Sequence, residues 1–116
     1  HTANSGYFNI NALTDIGIYS FDILCYYTGT YTLNVYILNY PDTNYYNYVG
    51  SSSDWNNILS ESKTCTQRGG IISVDLPNTL KLDESKTRAI WIRYTGLLFL
   101  DTSENINTVY SNNDEV

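Results

Sequence analysis

The chain has 116 residues and a mass of 13.2 kDa, with 12 Tyr, no Met and 42% apolar residues. A chain of this length fits one domain with one core. Six scattered basic residues against 12 acidic ones give a net charge of −6, which excludes a nucleic-acid partner and argues against anionic membrane surfaces, because both need clustered Lys and Arg. No apolar run approaches the roughly 20 residues of a spanning helix, so no membrane span is expected.

Period-two alternation recurs between turn-forming clusters, and no useful i, i+3, i+4, i+7 stripe interrupts it. An all-β antiparallel sandwich of eight or nine strands follows. The first strand covers residues 7–12, with Phe8, Ile10 and Ala12 on one face and Tyr7, Asn9 and Asn11 on a wet one. The second, residues 16–27, begins with Ile16 and Ile18 in phase and then aligns Phe21, Ile23 and Cys25, so a β-bulge is predicted near residues 19–21. Gly29 is expected to close a hairpin into residues 31–38, with Leu33, Val35 and Ile37 inward and Thr32, Asn34 and Tyr36 toward solvent.

Residues 39–53 carry Pro, Asn, Gly and Ser without periodicity and form the longest loop. Residues 55–66 follow, a strand from Ile58 onward, and Gly69-Gly70 leads into residues 71–76. Pro77-Asn78 opens a turn before a short piece at 79–82. Residues 88–94 alternate Ile90, Ile92 and Tyr94 with Trp91 and Arg93; a Thr95-Gly96 turn then leads to an apolar run at 97–101. The polar tail holds one weak strand around Val109 and Tyr110.

Cys25 and Cys65 lie in different predicted strands about 40 residues apart, without the close spacing of a metal knuckle or a redox pair. They are read as a disulfide, with two buried free thiols as the alternative, and a disulfide implies an extracellular or periplasmic compartment. A processed secreted product, or a domain cut from a longer chain, explains the start at His1 equally well.

Several anchors, Phe8, Phe21, Asp22, Val35, Tyr36 and Trp55, with the spacing of apolar residues around them, resemble a jelly-roll module of secreted and cell-surface proteins similar to carbohydrate-binding modules. The resemblance covers most of the chain and implies a fold rather than a ligand. In such modules a further strand or two follows the segment matching Val109 and Tyr110. Residues 1–116 therefore read as a single domain that lacks a C-terminal strand, is shorter by design, or takes a strand from another subunit.

His1 is the only histidine, which removes Ser-His-Asp and Cys-His chemistry. Asp22 and Asp75 are the strand-borne acids that a glycosidase reading would need, and they read more simply as solvated structure. No enzyme activity is expected. No cofactor is expected either, apart from a structural calcium, for which Asp42, Asp54 and Asp101 are candidate ligands.

Tyr40, Tyr45, Tyr46 and Tyr48 crowd into the long loop ahead of Trp55, among Asn39, Asn44 and Asn47. Rings of this kind stack on sugar C–H faces or pack in a protein interface, and some fold inward as core, Trp55 above all. The expected function is a non-catalytic extracellular module, a structural or adhesive subunit of a cell-surface or filamentous assembly. The alternative is a carbohydrate-binding module. Partners are accordingly other protein subunits, further copies of the chain, or glycan.

Overall fold

The alternation in the sequence becomes two facing sheets. The computed structural model describes residues 2–99 and 107–110. Among them are seven strands: β1 (Thr2–Ala12), β2 (Ile16–Leu24), β3 (Gly29–Leu38), β4 (Trp55–Cys65), β5 (Ile71–Leu82), β6 (Thr87–Phe99) and β7 (Asn107–Tyr110). A five-stranded sheet, β4-β3-β6-β1-β7, faces a two-stranded sheet, β2-β5. The pairings are antiparallel except that β7 lies parallel to β1.

Eight or nine strands become seven because two expected turns are bulges inside longer strands. Along β2 and β5, Ile18 pairs with Leu80 and Ser20 with Asp75, so Tyr19 alone faces residues 76–79. Pro77 sits in that bulge, where its missing N–H costs no ladder bond. Along β1 and β6, Ala3 pairs with Leu98 and Ser5 with Arg93, so Asn4 alone faces residues 94–97. Leu97 takes a left-handed φ of 65° there.

The hairpin expected at Gly29 is a crossover instead. β2 pairs with β5, whereas β3 pairs with β4 and β6, and Gly29 supplies the φ of 126° at which the chain changes sheets. The phase change within β2 is present as predicted: Ile16, Ile18, Phe21 and Ile23 are buried while Gly17, Tyr19 and Asp22 are exposed.

The core lies between the sheets. Leu33, Val35, Ile90 and Ile92 of the large sheet meet Ile18, Ile23, Val74 and Leu80 of the small one, each contributing about 1.5–3 kcal/mol by leaving water. At one end the sheets are joined covalently by the Cys25–Cys65 disulfide, with Cα atoms 5.9 Å apart. The joint is completed by backbone bonds, since Tyr26 and Tyr27 N–H donate to the Leu97 and Gly96 carbonyls at 3.1 Å.

Gly96 shows why β6 passes through the expected turn. A Cβ at this position would run into the rings of Tyr31 and Tyr94, and Tyr94 is fully buried. In urea unfolding, Gly96→Ala is expected to lower stability by about 1–3 kcal/mol, the usual cost of overpacking; a loss of under about 0.5 kcal/mol, typical of surface positions, would contradict this packing.

Candidate functional site

The face of the large sheet turned away from the core carries a second apolar cluster. Tyr7 of β1, Tyr36 of β3 and Trp91 of β6 are direct cross-strand neighbours, and their rings stack in a row. Trp91 lies 5.5 Å from Tyr7 with planes 9° apart, and 4.1 Å from Tyr36 with planes 21° apart. Such pairs contribute about 0.5–1.5 kcal/mol each beyond their buried area. Tyr36, expected in solvent, is half-buried by this stack.

Residues 39–54 fold over the row. Tyr45 extends it, stacking on Tyr7 at 5.8 Å, and Trp55 packs against both Tyr7 and Trp91. Tyr45 and Trp55 are each 6% exposed, and Leu38 and Ala89 complete the cluster. The loop is pinned at its centre by Asn9, a fully buried amide whose Oδ1 accepts the Tyr45 N–H at 3.0 Å.

Other bonds fix the periphery. The Trp55 indole N–H donates to the Tyr48 carbonyl at 3.0 Å, and Gly50 N–H donates to the Tyr7 hydroxyl at 3.2 Å. Asp42, at a left-handed φ of 53°, accepts Thr87 N–H at 2.9 Å and lies 3.7 Å from the Lys86 ammonium.

The five aromatic residues singled out in sequence therefore divide. Tyr45 and Trp55 are structural, Tyr48 is half-buried, and Tyr40 and Tyr46 remain 43% and 44% exposed. Sequence reasoning missed Asn9, Tyr7, Tyr36 and Trp91. The signal available was three aromatic residues on the phase of three strands that alternation assigns to water.

Of the proposed calcium ligands, Asp42 serves the loop as described and Asp101 lies outside the described residues. Asp54 accepts the Tyr40 hydroxyl at 2.7 Å and the Ser51 hydroxyl at 2.5 Å. No group of three or more His, Cys, Asp or Glu suited to a metal ion occurs among the described residues. Asp22 and Asp75 both lie on the exposed face of the small sheet, where Asp22 accepts from Ser73 at 3.1 Å.

The Ser51 hydroxyl, and after it the Tyr40 hydroxyl, hold the Asp54 carboxyl below the usual carboxylate range. The same bond from Tyr40 to Asp54 raises the phenol above its usual value. Because the folded carboxyl has the depressed pKa, the Tyr40–Asp54–Ser51 lock is complete above the ordinary carboxylate range and is lost as pH falls through the lowered value. An acid titration followed by the NMR signals of Tyr40 is expected to show one step, absent in Asp54→Asn; an identical step in that variant would assign it to another group.

The two tryptophans give a paired test of hydrogen bonding within one cluster. Trp55 has an acceptor, while the buried Trp91 Nε1 has none among the described residues. Since an orphaned buried donor costs about 1–3 kcal/mol, Trp91→Phe removes a penalty together with its packing. Trp55→Phe loses packing and the indole bond to the Tyr48 carbonyl, which keeps the Ser51 N–H at 3.2 Å. Denaturant midpoints are expected to fall more for Trp55→Phe than for Trp91→Phe; the reverse order would show that packing of Trp91 outweighs the hydrogen-bond difference.

No helix among the described residues is long and apolar enough to cross a membrane. The disulfide is compatible with an oxidising, extracellular compartment. No family model, curated protein or solved structure shows significant similarity to the chain.

Proposed function

We propose that the chain is a non-catalytic extracellular module of jelly-roll type, a structural or adhesive subunit of a cell-surface or filamentous assembly. The observation that carries this reading is the imbalance between its sheets. Five strands face two, and beside β5 an open groove is lined by Ile37, Ile58, Pro77 and Leu80. Among the described residues nothing pairs with the outer edge of β5, and an open edge beside apolar surface is a template for strand addition. Ile71, at the start of β5, is 69% exposed, which suits a surface that is covered in an assembly.

The second reading, a carbohydrate-binding module, draws support from Tyr46 and Tyr40. Their rings stay accessible beside the exposed Asn39, Asn44 and Asn47, and aromatic faces with neighbouring amides suit sugar recognition.

Light scattering over a concentration series is expected to show the native chain passing from monomer to ordered oligomers. A chain that stays monomeric, holds an oligosaccharide and loses it on Tyr46→Ala would overturn the assembly reading in favour of the second.

A further inference from the structure

The loop packs over the part of the outer face that carries Tyr7 and Trp91. Further along the strands, alternation with the buried Leu33, Val35, Ile92 and Tyr94 turns Thr32, Asn34, Arg93 and Thr95 outward. Register places Asn34 of β3 on one side of Arg93 and Ser5 of β1 on the other.

Across β1, β3, β4 and β6, Arg93 is the one charged side chain that this alternation turns outward among the described residues, in a protein with 12 acidic residues. These strands hold one carboxylate, and it is on the other phase. Glu61, the acid of β4, pairs with Leu33 on the inward phase and lies 3.0 Å from Lys63.

The polar neighbours of Arg93 offer amide and hydroxyl groups at its sides. Ser60 Oγ sits 2.6 Å from Asn34 Oδ1 and 2.9 Å from Asn57 Oδ1, and the Asn34 amide N–H groups are donors beside the guanidinium. Thr95 Oγ1 accepts the Thr32 N–H at 3.2 Å and keeps its proton to donate and a second lone pair to accept. Arg93 itself is exposed and presents five N–H donors in a fork that matches a carboxylate.

A face whose one charged side chain is an exposed guanidinium, set among amide and hydroxyl groups, fits a hydroxyl-bearing ligand with negative charge. We infer that Arg93, with Asn34 and Thr95, binds the carboxylate of an acidic sugar within an otherwise neutral glycan. One guanidinium in a field of net charge −6 suits a single carboxylate; a densely sulfated chain needs many cations and is repelled by the rest of the surface. The half-buried Tyr36, diagonal to Arg93 beside Trp91, supplies an apolar border for the sugar ring.

This inference rests on the adhesive reading and names its ligand class, at a place separate from the loop. The test is an NMR titration of the full chain with a glucuronate-terminated oligosaccharide, its glucose-terminated counterpart, and a sialic acid-terminated one. At least one acidic probe is expected to shift the Arg93 and Asn34 side-chain signals with a dissociation constant of about 1 mM. The neutral probe is expected to bind about tenfold more weakly, Arg93→Gln to erase that difference, and Arg93→Lys to keep part of it, since the ammonium retains charge but not the fork. Tyr46→Ala is expected to leave the titration unchanged. Equal binding of acidic and neutral probes, loss on Tyr46→Ala instead of Arg93→Gln, or no shift up to about 20 mM would overturn the inference. Oligomers in light scattering beside any of those results would leave the assembly reading standing.

Discussion

A β-sheet has two faces, and the two-stranded sheet of this protein covers one of them. The large sheet places Ile90 and Ile92 of β6 toward β2 and β5, which leaves Trp91, with Tyr7 and Tyr36 on the adjoining strands, pointing the other way. Rings of that size are costly to leave in water when each can bury 150–250 Å² or so. The loop of residues 39–54 is the cover. Its length, its tyrosines and its lack of periodicity follow from lying as a third layer over a row of rings instead of joining two strands by the shortest path.

That cover is held by interactions of unequal strength. At its centre Asn9 is fully buried and makes its bond to the Tyr45 backbone out of contact with water. Losing that bond strands a buried polar group, whereas an exposed hydrogen bond is readily exchanged for one to solvent. The Tyr40–Asp54 and Asp42–Lys86 contacts at the rim belong to the second kind. Acid can loosen the Tyr40–Asp54 bond while the centre stays closed, so the exposed ring of Tyr40 is carried on the more yielding part of the loop and that of Tyr46 beside its anchor.

Much of the fold was legible because alternation is a local property. The phase change in β2 is visible in Ile18, Phe21 and Ile23, and the structure has its bulge at Tyr19. Pro77 and Gly96 misled because the residues that make turns also make bulges: each relieves a backbone position of its side chain or its N–H, and the local sequence does not say whether the strand continues afterwards. Gly29 misled for another reason. A hairpin and a crossover between sheets both need a left-handed glycine, and what separates them is the partner strand, β5 for β2, which lies some 50 residues away. The loop was the least legible part, because burial of Tyr45 and exposure of Tyr46 depend on how the loop meets Asn9 and Tyr7, and neither lies near them in sequence.

The loop also decides how the outer face is divided. Its anchor at Asn9 and its lid over Trp91 sit toward the end of the sheet where Ala89 is buried, and Arg93 stands two residues further along the same strand. Trp91 and Arg93 therefore occupy consecutive outward positions, one sealed and one open. A carboxylate beside Arg93 would neutralise it at little cost, yet the neighbouring outward positions carry Ser, Thr and Asn. Acidic residues are plentiful elsewhere, in the turn at Asp83 and Glu84 and on the small sheet at Asp22 and Asp75. The uneven placement leaves one exposed cation on the outer face of the large sheet, where its field adds to the hydroxyl and amide groups around it instead of being spent within the protein.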